Sequence, residues 1–347
     1  MPISRRFVPP ASLSALLSSL PASSVLPRSL KAFLVLPLPS LPPLSVLAFL
    51  VLLVLPALPA SSAPLSAASS ARAEALEVVD DTGQKVRLAS PPARIVSLSP
   101  GATEMLFAAG AGDHIVATVQ YADVPEVAKR IERIGDSAAV DLERLLALRP
   151  DVVVVWPGGN SAAQIDRIAR LGLPVYRQVT ARLDDLAPSL RRLGRLAGTQ
   201  VVADGAADAV QRRLEGLRRD YGGRVPVRVL LEVWNQPLYT VGGPQMMSDA
   251  LAACGAVNVF GDLAELSPVV QVEAVVARNP DAIVAVASAR AGAEWLKVWR
   301  AFPALKAARR GNLLTFSDPA LSRLGPGAVA ATAGLCEVID GARRRMR

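Results

Sequence analysis

The side chains most often used in catalysis and metal binding are scarce in this 347-residue chain. It contains one histidine, His114, and two cysteines, Cys254 and Cys336. A Cys/His metal site needs more ligands, and a Ser-His-Asp set would depend on His114 alone, at the turn into a predicted strand. The glycine pairs fit turns better than a dinucleotide or phosphate-binding loop. We therefore expect a binding protein with no enzymatic activity, metal or cofactor.

Four aromatic residues lie where they could contact a ligand. Tyr121 opens a loop after one predicted strand, and Trp156 directly follows a run of four valines. Trp234 and Tyr239 follow the first strand of the second half. Open α/β sheets bind ligands at the carboxyl ends of their strands, where flat side chains suit a large, planar, partly apolar ligand. For each residue taken alone, local packing is an equally good explanation.

The elements that would position these residues occur twice. The segment from Glu143 to Val154 is echoed 130 positions later by the segment from Glu273 to Val284. Each copy predicts a short helix, a Pro-Asp stop and a buried strand. The spacing is wider than the roughly 20–50 residues of solenoid units. We therefore predict two Rossmann-like α/β lobes with largely parallel sheets, and a ligand site in the cleft between them.

No strand pattern is present between the two halves. Leucines from Leu183 to Leu196 recur at three- and four-residue spacing, and a second amphipathic stretch follows from Val201 to Leu217. This pattern predicts an N-terminal lobe over 74–181, a connecting helix over 182–222 and a C-terminal lobe over 223–347. A long rigid helix at the join would limit the movement of the lobes.

The first 73 residues differ from the rest of the chain. They contain five basic residues, no acidic residue and an apolar run from Leu44 to Leu58. A basic start, an apolar core and small residues ending at Ala73 are typical of a secretory signal, which predicts export to the periplasm with cleavage near Ala73. An uncleaved membrane anchor is the alternative, but five prolines at positions 37–56 argue against one continuous membrane helix.

Export affects two further inferences. The net charge falls from 38 − 30 = +8 for the whole chain to 33 − 30 = +3 without residues 1–73, which does not indicate a nucleic-acid-binding protein. An exported protein also meets an oxidising compartment, in which Cys254 and Cys336 allow one intramolecular pairing. On the residues alone, a disulfide and two buried free thiols both stay open.

Several motifs together indicate a family. They are Ser97-Leu-Ser-Pro-Gly-Ala-Thr-Glu104, Tyr121-Ala-Asp-Val-Pro125, Asp141-Leu-Glu-Arg-Leu145, Val155-Trp-Pro-Gly-Gly-Asn160, Ala253-Cys-Gly-Ala-Val-Asn-Val-Phe260 and Ser317-Asp318. With them, the chain from Arg94 to about Ile339 resembles the cobalamin-binding periplasmic proteins of ATP-driven vitamin importers. The resemblance implies a class III periplasmic binding protein fold and a monomer that delivers a corrinoid to a dimeric membrane permease.

The resemblance also implies roles for individual residues. The corrinoid would be held between the lobes by Tyr121, Trp156, Trp234, Tyr239, Asp318, Ser322 and Arg323. Cys254 and Cys336 would form a disulfide. Glu143 and Glu273 would dock onto arginines of the two permease subunits, and their equivalent places in the repeat support this because a twofold partner requires one acid from each lobe. The alternative for each is an acid in the first turn of a helix, favoured there by the helix dipole.

The chain departs from the family pattern at two positions. Ser137 and Ser267 match positions at which relatives carry tryptophan, so the pocket has fewer stacking walls and its corrinoid selectivity is open. Two alternative functions also stay open. The same fold could bind haem, with Tyr121 as axial ligand, or a ferric siderophore, and an enzyme could be built on the same two-lobed frame.

Overall fold

The structure is a computed structural model that describes residues 75–347. The predicted export signal, residues 1–73, therefore lies outside the described residues. All described elements belong to one unit of the chain, Ala68–Arg347. None of the helices within residues 75–347 has the length and apolar character that crossing a bilayer requires.

The N-lobe is built on a five-stranded parallel sheet. An antiparallel hairpin, β1 (Leu76–Val79) and β2 (Lys85–Leu88), precedes it. The elements that follow are β3 (Ile95–Ser97), α1 (Pro100–Ala108), β4 (Ile115–Thr118), β5 (Glu132–Arg133), α2 (Leu142–Ala147), β6 (Val152–Val155), α3 (Ala162–Arg170) and β7 (Val175–Arg177). The strand order is β5-β4-β3-β6-β7. All four valines of β6 are buried, as expected for a parallel strand covered on both faces.

Two helices follow, α4 (Leu186–Ala197) and α5 (Gln200–Tyr221). The chain breaks between them at Gly198, whose φ of +74° ends α4 in the left-handed conformation that glycine adopts without strain. The segment 182–222 is thus a helical pair instead of one helix. α4 packs on α1 and β1, whereas α5 contacts α1 and also two C-lobe helices. The 22-residue α5 is therefore the element that joins the lobes.

The C-lobe repeats the plan with four parallel strands in the order β11-β8-β12-β13. Its elements are β8 (Val227–Glu232), β9 (Trp234–Asn235), β10 (Leu238–Tyr239), α6 (Met246–Ala253), β11 (Ala256–Asn258), α7 (Val272–Arg278), β12 (Ala282–Val286), α8 (Ala289–Trp295), α9 (Lys306–Arg309), β13 (Leu313–Phe316) and α10 (Gly327–Arg344). A disulfide between Cys254, at the end of α6, and Cys336 of α10 confirms the predicted pairing. The predicted fold class is confirmed as well.

The aspartate of the repeated Pro-Asp sequence has the same structural role in both lobes. Asp151 and Asp281 each precede a strand and accept hydrogen bonds from the backbone at the start of the central strand, at Arg94 N (2.8 Å) and Arg228 N (3.2 Å). The guanidinium groups of these two arginines donate to the carbonyl groups of Leu148 and Arg278, near the ends of α2 and α7. The same side chains therefore fasten the same junction in both lobes.

Candidate ligand-binding cleft

Two neighbouring cavities lie between the lobes. The larger has a volume of about 430 Å³ and is lined by Trp156, Pro157, Gly158, Val179, Thr180, Ala181, Pro244, Gln245, Met246, Met247, Leu266, Ser267, Ser322 and Leu324. The smaller has a volume of about 210 Å³ and is lined by Ser99, Pro100, Gly101, Ser137, Trp156, Gln178, Ser322, Arg323 and Leu324. Trp156, Ser322 and Leu324 line both cavities, so the two form one inter-lobe cleft that these residues divide.

Trp156 is placed by the loop that follows β6. Its backbone N–H donates to Asn160 Oδ1 at 2.8 Å, and the buried Asn160 donates from Nδ2 to the carbonyl groups of Leu98 and Ser137. The indole packs against Gly158 and Gly159: a Cβ atom at Gly158 would lie 2.7 Å from the indole Nε1. The Pro-Gly-Gly-Asn motif therefore fixes both the backbone and the ring plane of Trp156.

The C-lobe segment 318–327 closes one side of the cleft and is fastened to the N-lobe. Glu104 of α1 is buried and accepts hydrogen bonds from Gly327 N at 2.7 Å and from Arg323 Nε at 3.3 Å. Thr180 Oγ1 donates to the Leu324 carbonyl at 2.8 Å. Because hydrogen bonds to an ionised group are stronger than neutral ones, the two bonds to Glu104 hold the segment in place across the lobes.

A second link joins the lobes beside α5. The buried carboxylate of Asp249, on α6, accepts hydrogen bonds from Leu183 N at 2.9 Å and Arg182 Nη2 at 3.0 Å. The two links lie on different C-lobe elements, and α5 packs on helices of both lobes. These contacts within the chain fix the shape of the cleft, so the cleft is pre-formed, as is usual for small-molecule sites.

The predicted binding residues separate into two groups in the structure. Trp156, Ser322 and Arg323 come together in the cleft. Tyr121, Trp234, Tyr239 and Asp318 are not among the residues that line either cavity. Ser137 and Ser267, where the family pattern has tryptophan, line the smaller and the larger cavity respectively.

The residues of the second group lie in other surroundings. Tyr121 is 79% exposed and has a φ of +66°. Trp234 forms an edge-to-face pair with Trp295, with ring centroids 5.8 Å apart. Tyr239 pairs with Trp234 across the β9–β10 hairpin. Asp318 accepts a hydrogen bond from Ala320 N at 2.9 Å and so caps a short helical turn.

Comparison with known proteins places the chain in a family. Residues 95–320 match the family of periplasmic binding proteins. The vitamin B12-binding protein of Vibrio cholerae is 30% identical over 255 residues, which cover 74% of this chain and 92% of that protein. The crystal structure of the periplasmic vitamin B12-binding protein BtuF of Vibrio cholerae matches with a TM-score of 0.68 and 31% identity, over 73% of this chain and 98% of that one.

The chain belongs to the periplasmic binding protein family. A haem-bound structure, the periplasmic haem-binding protein BhuT, is 20% identical with a TM-score of 0.64, over 72% of this chain and 98% of that one. At this identity the likeness extends to the fold alone. The fold alone therefore does not determine the ligand.

In this periplasmic binding protein, Glu143 and Glu273 lie in the first turns of α2 and α7 and are exposed. Neither carboxylate forms a hydrogen bond or ion pair with another residue in the range 75–347. The adjacent cation on α2, Arg144, bonds Glu132 and lowers the pKa of that carboxyl group. Arg278 on α7 does the same for Asp262. Both glutamate side chains are therefore exposed to solvent, and within residues 75–347 the neighbouring arginines pair with other acids.

Several cleft residues were not predicted from the sequence. Met246, Met247 and Gln245 begin α6, and Pro100 and Gly101 begin α1. These two helices are equivalent in the repeat, and both start at the cleft. The ends of the two helices are also similar in sequence, Leu106-Phe-Ala-Ala-Gly110 and Leu251-Ala-Ala-Cys-Gly255, and this similarity is the signal that could have located them. The described part of the chain has no group of three or more His, Cys, Asp or Glu side chains placed to hold a metal ion.

Proposed function

We propose that this protein is an exported binding protein that captures a corrinoid between its lobes and delivers it to an ATP-driven importer, performing no chemistry itself. The observation that carries the proposal is the inter-lobe cleft divided by Trp156, in a chain with 30% identity to a vitamin B12-binding protein along 92% of that protein's length. A corrinoid is a large planar macrocycle, and the flat indole offers a matching surface.

The residues around Trp156 suit the rest of such a ligand. Met246, Met247 and Leu324 supply apolar surface to the macrocycle, and thioether side chains adapt to irregular shapes. Gln178, Ser137 and Ser322 supply donors and acceptors for peripheral amides. Two serines stand where relatives are expected to carry tryptophan, so we expect selectivity to depend more on hydrogen bonds than on stacking.

The links between the lobes bear on the mechanism of capture. Glu104 holds the segment 318–327 against the N-lobe, and Asp249 holds the start of the helical pair. Binding therefore needs little closure, and little of the interaction free energy is spent on ordering the lobes. Delivery would then depend on the permease pulling on both lobes at once, through Glu143 and Glu273.

One titration series tests the ligand. The mature protein is titrated with cyanocobalamin, dicyanocobinamide and haem, and visible spectra and heats are recorded. We expect saturable 1:1 binding of at least one corrinoid. Saturable haem binding with no corrinoid binding would replace the proposal with the haem alternative, in which a tyrosine such as Tyr121 serves as axial ligand.

Trp156→Ala tests the wall of the cleft. We expect it to weaken corrinoid binding by about 1–3 kcal/mol, the usual loss for a buried aromatic contact. Tyr121→Ala is the matched comparison, since Tyr121 was also predicted to bind but is 79% exposed outside both cavities. Isothermal titration calorimetry measures the corrinoid affinity of both variants. Unchanged affinity in Trp156→Ala would remove the cleft assignment.

A further inference from the structure

A third cavity, of about 450 Å³, lies within the C-lobe at the carboxyl end of β8. It is lined by Glu232, Asn235, Gln236, Pro237, Leu238, Val269, Val270, Gln271, Val272, Glu294, Trp295, Val298 and Trp299. None of these residues lines the inter-lobe cleft. The volume is within the range of small-molecule sites, about 300–1,000 Å³.

The cavity contains a buried carboxyl group with no cationic partner. Glu232 is 1% exposed, and its Oε2 accepts a hydrogen bond from Trp299 Nε1 at 2.8 Å. Its Oε1 is buried and has no hydrogen-bond partner among the described residues. Leaving a buried polar atom unpaired is unfavourable, so such atoms are uncommon and call for an explanation.

The other buried carboxylates of the described chain differ from Glu232 in one respect. Each has an arginine within ion-pair distance: Asp80 has Arg177, Glu104 has Arg323, Asp249 has Arg182 and Asp281 has Arg310. Glu232 alone among these buried acids lacks a cation. Burial also raises the pKa of its carboxyl group. At four of the five buried carboxylates the protein itself supplies a cation. At Glu232 a bound ligand would have to supply it.

The walls of the cavity suit a cation that carries a carbon skeleton. The buried indole of Trp299 and the half-buried indole of Trp295 line it, and the Trp234 ring packs edge-on against Trp295. Aromatic faces beside a carboxylate attract organic ammonium ions through cation–π contact and charge. Leu238, Val270 and Val298 add apolar surface. We propose that this cavity binds a small primary ammonium compound, whose N–H groups donate to Glu232 and whose carbon skeleton packs on Trp295.

The chemistry narrows the class of ligand further. A quaternary ammonium ion has no N–H to donate, so it would leave Glu232 Oε1 unpaired. A neutral alcohol could donate one hydrogen bond but would not supply the charge that the arginines supply elsewhere. Primary ammonium ions with a short aliphatic or aryl chain satisfy both requirements.

The test uses the mature protein and 2-phenylethylammonium chloride as probe, with 2-phenylethanol as the neutral equivalent. Calorimetry and tryptophan fluorescence report binding. We expect the ammonium probe to bind at least tenfold more tightly than the alcohol. Glu232→Gln, which keeps an acceptor for Trp299, should weaken binding of the ammonium probe at least tenfold. Glu337→Gln, an exposed acid on α10, is the matched control and should change nothing.

Three results would overturn the proposal. Equal affinity for the ammonium ion and the alcohol in the unmodified protein would do so without any variant, even if Glu232→Gln failed to fold. An unchanged affinity in a folded Glu232→Gln protein would do so as well. Saturating cyanocobalamin should leave the probe's affinity unchanged, and competition between the two would show that the cavity is part of the cleft instead of a separate site.

Discussion

The two lobes share one plan, but their central strands end differently. In the N-lobe, Ser97 of β3 lies opposite Val154. In the C-lobe, Leu231 of β8 lies opposite Val284, the repeat equivalent of Val154. The next residue is Leu98 in the N-lobe and Glu232 in the C-lobe, and both are buried. The same place in the repeat therefore holds a core leucine in one lobe and an acid in the other.

The lobes also differ in what stabilises them. In the N-lobe, the carboxylate of Asp81 fastens the β1–β2 hairpin by accepting hydrogen bonds from Tyr176, Val179, Ser189 and Arg192. In the C-lobe, a disulfide joins α6 to α10. The two lobes, although they repeat one plan of strands and helices, are thus stabilised by different contacts. The repeat preserves the strand junctions, whereas the stabilising contacts and the cavities are particular to each lobe.

The largest expected effect concerns Glu143 and Glu273, the exposed acids that the two lobes share at equivalent places. Glu143→Gln together with Glu273→Gln should abolish corrinoid uptake in cells while leaving the binding affinity of the purified protein unchanged. The reason is that each lobe offers an exposed carboxylate at the same place of the repeat, as a twofold partner requires. Uptake of labelled cobalamin and calorimetry measure the two quantities.

The two single variants sharpen this result. If the lobes are equivalent in docking, Glu143→Gln and Glu273→Gln should each reduce uptake to a similar extent. Glu337→Gln serves as the control because Glu337 is an exposed acid elsewhere in the C-lobe. Loss of corrinoid affinity in the double variant would contradict the docking role.

A second pair of variants tests the contact that stabilises each lobe, the disulfide in the C-lobe and the Asp81 carboxylate in the N-lobe. Replacing Cys254 and Cys336 by alanine should lower the free energy of unfolding by about 2–5 kcal/mol. Asp81→Asn should lower it by about 3–5 kcal/mol, because it leaves Arg192 partly buried without its anion. Urea unfolding gives the magnitudes. Hydrogen exchange should place the loosened amides in the C-lobe for the first variant and in the N-lobe for the second. Exchange spread evenly over both lobes would contradict the assignment of each contact to one lobe.

Much of the fold could be predicted because the strands carry strong patterns. β6 and β12 are continuous aliphatic runs, and their bounds follow from the sequence. β5, with only Glu132 and Arg133, has no apolar residue and so no signal. The two-residue strands β9 and β10 are too short for any periodicity. The start of α8 depends on a cap, because the Ser288 side chain accepts a hydrogen bond from Ala291 N and the helix begins at Ala289.

A side chain that follows a recognisable strand is easy to select from the sequence, but this signal does not decide whether it lies in the cleft. Trp156 follows such a strand and lines the cleft, whereas Tyr121 and Trp234 also follow strands and line neither cavity. Met246 and Met247 were not predicted, because apolar residues at the start of a helix look the same in sequence whether they face a core or a ligand. The burial of Glu232 could not be predicted from the sequence either, since an acid at the end of a strand usually faces water. Its burial depends on Trp299, which is 67 residues away.

A smaller effect is expected from removing the acid that distinguishes the C-lobe. Burial raises the pKa of Glu232 in the folded protein above its unfolded value. Its folded state therefore holds the proton more tightly, and stability falls as pH rises from the ordinary carboxyl range, about 4.3, through the raised pKa. Glu232→Gln cannot ionise, so at neutral pH it should be more stable than the unmodified protein by about 1–2 kcal/mol. Thermal unfolding between pH 4 and pH 8 measures this.

The gain should shrink as pH falls, because Glu232 is then protonated in both states. Leu98→Gln, at the equivalent place in the N-lobe, is the comparison. It buries an amide in an apolar core and should destabilise the protein at every pH. A Glu232→Gln protein whose stability relative to the unmodified chain did not change with pH would show that the carboxyl group does not titrate with folding.

The smallest expected effect comes from the residue that ends the repeated helix. Arg149 and Asn279 occupy equivalent places with φ of +46° and +44°, in the left-handed region. Asparagine tolerates this conformation better than arginine, and Asn279 Oδ1 also accepts a hydrogen bond from Lys306 N at 2.9 Å. Arg149→Asn should therefore stabilise the protein by about 0.5 kcal/mol, and Asn279→Arg should destabilise it by about 1 kcal/mol or more. Urea unfolding of both variants measures the difference, and a stabilising Asn279→Arg would mean that the two junctions are not equivalent.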